Sequence, residues 1–134
     1  MRKHLARCLP ALLLACALPL AAQAAEPAAA SKQVQTAAAH AGMALGATDL
    51  KMAHAHLQHV VNCLVGPGGT GFDANAANPC KGMGQGALVD AKGDAATEAR
   101  LHQALGEAEA GLKATTLDGT HADAQQALNT LQAQ

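Results

Sequence analysis

Apolar positions recur along most of this chain with the period of a helix, in stretches free of proline and separated by glycine-rich or capping residues. The first stretch runs from Lys32 to about Val65, with Ser31 placed to cap it. Met43, Leu50, Leu57 and Leu64 recur every seven residues, with Ala53 and Val61 beside them, which is the seam of a helix packed in a bundle. Nearly opposite lie Leu45, Met52, His56, His59 and Cys63, a second face that also needs a cover. Gly42 and Gly46 each weaken the helix by about 1 kcal/mol relative to Ala, so a bend, a close contact or a break in two is expected there.

Two further helices follow. Asp94 can cap one that runs to about Lys113, with Leu101, Leu105, Ala108 and Leu112 inward and Gly111 where it frays. Thr120 followed by Asp123 has the form of a capping box, opening a last helix with Ala124, Ala127, Leu128 and Leu131 on its apolar face. Between the first and second helices, residues 66–90 are dense in Gly, Pro and Asn, the composition of turns. So long an irregular segment needs a reason in a compact domain. Cys80 supplies one, since it must return to Cys63, and Phe72, the single aromatic residue, is expected to plug the segment onto the helices. The pattern predicts an all-α fold: a small three- or four-helix antiparallel bundle with one long Gly-rich, disulfide-tied loop, without significant strand or internal repeat.

The first 24 residues stand apart from this pattern. Arg2, Lys3 and Arg7 precede an apolar run from Cys8 to Leu20, and Ala22-Gln23-Ala24 places small residues where a signal peptidase reads them. Residues 1–24 therefore read as a secretory signal peptide, leaving a single domain of residues 25–134 whose start, 25–30, is expected to be flexible. The run is shorter than the roughly 20 residues of a membrane span and contains Pro10 and Pro19, so the mature chain is not expected to cross a membrane. Leu13-Leu14-Ala15-Cys16 loosely resembles a lipobox and offers a lipoprotein variant, which the continuing apolar run disfavours. The expected destination is periplasmic or secreted.

Composition sharpens the picture in three ways. From Ala25 onward there are 28 alanines but only 20 larger apolar residues, so burial at about 25 cal/mol per Å² has little to work with. Close Ala-lined helix contacts, a cross-link, a second copy or a protein partner are the means of compensating. Six basic residues against ten acidic ones give the mature chain a net charge of −4, the wrong sign for a nucleic-acid binder. Finally, Cys8 and Cys16 leave with the leader, and Cys63 and Cys80 are expected to bond to each other in an oxidising compartment.

Histidine carries the main chemical signal. His56 and His59 project from one helix face at a spacing that chelates a single ion, and Met52, one turn earlier, adds a thioether that favours copper, particularly Cu(I). Nickel and zinc are the other candidate ions. His54 points about 200° away from His56 and belongs to the apolar seam, where a hydrogen-bonded structural histidine is expected. His40 stands more than two turns off along the helix, while His102 and His121 could join only if packing brings them round. No nucleophile elbow, phosphate loop, zinc-protease or haem-attachment string occurs, and Asp73, Asn75 and Asn78 lack the acidic set of a calcium loop. Two readings remain: a non-enzymatic exported protein that binds a transition metal at His56, His59 and Met52, or a structural or protein-interaction module with no metal.

Overall fold

A computed structural model describes residues 27–133; the predicted leader, its cleavage point and Cys16 lie outside the described residues. The described chain is helical, with no strand among its residues. α1 spans Ala28–Leu45, α2 Leu50–Val65, α3 Ala87–Asp90, α4 Ala95–Lys113 and α5 Leu117–Gln132. No described helix is long and apolar enough to cross a membrane.

The long first stretch is two helices, not one. Helix formation reaches Gly46 and stops, and Asp49 then starts a new helix by accepting a hydrogen bond from the Met52 amide at 2.8 Å. The four residues between them let α2 fold back along α1. This break overturns the seven-residue seam at its first member. Met43 is 49% exposed, because residues counted across a turn do not share a helix face. The buried stripe of α1 is instead Ala30, Val34, Ala37, Ala41 and Ala44, while Leu57 and Leu64 on α2 are fully buried as the periodicity requires. α1 also begins earlier than Ser31, at Ala28, so part of the expected flexible start is helical.

α4 begins where Asp94 accepts from the Thr97 amide and hydroxyl. α5 begins four residues earlier than a cap at Thr120 would start it. Its cap is Thr116, whose hydroxyl accepts from the Gly119 amide, and Thr120 is a buried residue inside the helix. Gly111 is likewise no frayed end. It is buried within α4, where a Cβ would run into Leu57, so glycine there allows α4 to approach α2 closely. The four long helices pack in the cyclic order α1, α2, α4, α5, around Leu57, Val60, Val61, Leu64 and Leu101 and a wide set of buried alanines. Small side chains bring backbones together and so compensate for the few large ones.

Residues 66–86 connect α2 to α3 through turns and bends, and α3 falls inside the segment expected to be irregular throughout. Two buried amides organise this connection. The Asn62 Oδ1 accepts from the Asp73 amide at 2.9 Å and from Gln58 Nε2 at 3.1 Å, and its Nδ2 donates to the Asp73 and Ala77 carbonyls. Gln33 on α1 accepts from the Gly86 amide at 2.9 Å and donates to Asp90 Oδ2 at 2.6 Å. Cys63 and Cys80 form a disulfide, both buried, and Cys80 Sγ lies 3.8 Å from the Gln33 carbonyl oxygen. Phe72 is half-buried against the core, in keeping with its expected place.

Candidate metal centre

Three half-buried imidazoles meet where α1 faces α2: His40 from α1, and His56 and His59 from successive turns of α2. The pairing follows from the turn at residues 46–49. His40 lies five residues before the end of α1 and His56 six residues after the start of α2, so folding back at the turn brings them level. On an unbroken helix, residues 16 apart would stand about 24 Å from one another. Here the Nδ1 atoms of His40 and His56 are 3.2 Å apart, and those of His40 and His59 3.3 Å.

These separations suit a shared ion. With metal–nitrogen bonds of about 2.0–2.1 Å and tetrahedral angles, two ligand nitrogens stand about 3.3–3.4 Å apart. One ligand atom from each of the three residues lies within 4.8 Å of the other two, so a small side-chain rotation closes the set. The ring pairs are tilted or edge to face, with centroids 4.8 to 5.7 Å apart.

At two of the three rings, His40 and His59, the electrostatics favour the neutral form. Burial is the largest influence lowering the His40 pKa below the ordinary imidazole value, and the neighbouring His59 and His56 lower it further. The His59 pKa is lowered for the same reasons, burial first and His56 second. A neutral imidazole is the form that ligates metals. With the proton on Nε2 of each ring, Nδ1 is the free donor atom, and the His40 Nδ1 lies close enough to those of His56 and His59 for one cation to be shared.

The remaining histidines sit elsewhere. His54 is on the other side of α2, half-buried, with Nε2 3.2 Å from the Thr120 hydroxyl, the structural role expected of it. His121 donates from Nε2 to the Ala47 carbonyl at 3.1 Å, tying α5 to the α1–α2 turn, and His102 is exposed on α4. Met52 is 50% exposed on the turn of α2 before His56. The third imidazole of the cluster is His40, which spacing along one continuous helix had placed out of reach. The signal that could have found it is the sequence Gly46-Ala47-Thr48-Asp49, a helix stop followed at once by a capping residue. From the segment after α2, Met83 reaches this region, its sulfur accepting from the Thr36 hydroxyl at 3.6 Å in a groove also lined by His40.

No protein-family model, curated protein or solved structure matches this chain, so the geometry of the three histidines is the ground on which a function can be argued.

Proposed function

We propose that this is a small exported protein that binds one transition-metal ion, copper, nickel or zinc, through His40, His56 and His59. In this reading the helices form a four-helix antiparallel bundle, and the Gly-rich connection after α2 is the loop tied down by Cys63–Cys80. The observation that carries the proposal is the convergence of three imidazole ligand atoms within 4.8 Å of one another. The disulfide and the lack of a membrane-length apolar helix among the described residues are compatible with secretion. The proposed role is binding, and no catalytic step is assigned to the three imidazoles.

Calorimetric titration with zinc, nickel and copper(II) sulfates at pH 7.5 tests the site. His40→Ala, His56→Ala and His59→Ala should each weaken binding tenfold or more, since each removes one of three protein ligands. His54→Ala, on the other side of α2, should leave the affinity within twofold. Wild-type protein that takes up none of these ions, or a His40→Ala variant that binds as well as wild type, would rule the site out and leave the interaction-module reading in front.

A further inference from the structure

Apart from Met1, which lies outside the described residues, every methionine of this chain lies near the histidine cluster: Met43 three residues beyond His40, Met52 one turn before His56, and Met83 beside Thr36. That placement is unusual for a chain so short of large apolar residues. Met43 and Met52 are about half exposed, although burying them would have enlarged a thin core. Exposed thioethers contribute little to packing and retain their value as soft ligands.

Two of these side chains share a cavity. An open groove of about 440 Å³ runs along α1, lined on that helix by Lys32, Thr36, His40 and Met43, with Met83 facing them from the connecting segment. Thr36, His40 and Met43 follow one another at the i, i+4, i+7 spacing of a single helix face. A methionine on a helix leans toward the helix N-terminus, which sends the Met43 thioether back toward His40. Met83 is held in place from two directions: the Thr36 hydroxyl donates to its sulfur, and the disulfide fixes Cys80 three residues before it.

We propose that this groove is a second metal subsite, selective for a soft monovalent ion of the Cu(I) type, with the thioethers of Met43 and Met83 and the imidazole of His40 as donors. Uncharged sulfur and nitrogen donors hold a soft monocation by covalency and offer a hard dication little. Lys32 at the groove adds a positive charge that disfavours a dication further. His40 belongs to both donor sets, and a neutral imidazole has a single lone pair, so the groove adjoins the three-histidine site and takes a monovalent ion in place of a divalent ion there, not together with it.

Silver(I) nitrate in chloride-free buffer serves as a redox-inert probe for Cu(I), and zinc sulfate reads the three-histidine site in parallel. Titrations of the exported wild-type protein, free of the leader thiols Cys8 and Cys16, are compared with Met43→Leu combined with Met83→Leu, a near-isosteric change that keeps the apolar volume. Silver affinity should fall tenfold or more in the double variant while zinc affinity stays within twofold, and Met52→Leu should change neither. In wild-type protein labelled at the methionine methyls, silver should shift the Met43 and Met83 resonances and leave Met52 in place. Silver binding that is unchanged in the double variant, or a shift confined to Met52, would overturn the subsite. Zinc that fails to bind wild type, alongside methionine-dependent silver binding, would defeat the three-histidine reading and leave the groove standing.

Discussion

At His40, burial and two neighbouring imidazoles act in the same direction, holding the ring neutral, and at His59 burial and His56 do the same. The consequence for stability has a definite sign. A histidine whose folded pKa is lowered takes up its proton more readily in the unfolded chain, so stability is lost as pH falls through the unfolded value of about 6.5 and levels off below the folded ones. The metal-free protein should therefore show a lower urea midpoint at pH 5.0 than at pH 7.5, and His40→Ala should flatten that difference. Asp94 does not confuse the window. Its carboxyl is held below its ordinary value chiefly by the Thr97 hydroxyl, so its contribution is lost only in the more acidic range. A bound ion should widen the gap, adding about 2.7 kcal/mol at pH 7.5 when present at 100 times its Kd and much less at pH 5.0. Equal midpoints at the two pH values would show that protonation of the cluster is not coupled to folding.

At the scale of elements, the decisive features are the junctions. The end of α2 meets the start of α3 so closely that a Cβ on Gly86 would enter the backbone of Val65 and Gly66, and Gly86 has a φ of 118°. Gly86→Ala should destabilise the protein by about 2 kcal/mol or more, combining a strained backbone with displacement of a neighbouring chain segment. Thermal unfolding reads this directly, and an unchanged midpoint would mean that the junction is looser than the structure shows. Much at this scale was legible in the sequence. The Asp94 cap, the end of α4 at Lys113 and the burial of Leu57, Leu64 and Leu101 follow from local propensity and period. Asn62 and Gln33 were not legible, because their importance lies in backbone groups up to 53 residues away that they satisfy. Nor was the α5 start, where Thr116 and Thr120 compete as caps and tertiary packing draws Thr120 into the core. His56 and His59 declared themselves by spacing, whereas His40 depended on where a helix stopped.

For the molecule as a whole, a core built largely of alanine makes the cross-link matter. Closing the 17-residue separation between Cys63 and Cys80 is worth about 3 kcal/mol in the chain-entropy model, a large share of the stability of so small a domain. Reduction, or Cys63→Ser with Cys80→Ser, should lower the unfolding free energy by roughly that amount, as measured by urea denaturation. Intact mass of the exported protein should match a chain beginning at Ala25 with no free thiol; a lipidated chain beginning at Cys16 would replace the signal-peptidase reading. The disulfide also fixes the end of the connection that carries Met83, so reduction should loosen the groove beside His40 before it disturbs the α1–α2 turn.

The turn at residues 46–49 has a meaning that extends beyond this one chain. Because it converts a distance along the sequence into a meeting in space, the donor set can be spelled as a string: a histidine, fifteen residues that include a glycine stop and an aspartate start, a second histidine, two residues, and a third. Only twenty consecutive residues are involved, and the punctuation matters as much as the letters. The same three histidines with a good helix former in place of the stop would spell a straight rod with its ligands on separate storeys. A relative too divergent for overall likeness could still be found by that spelling, and a histidine-rich helix lacking the pause could be set aside.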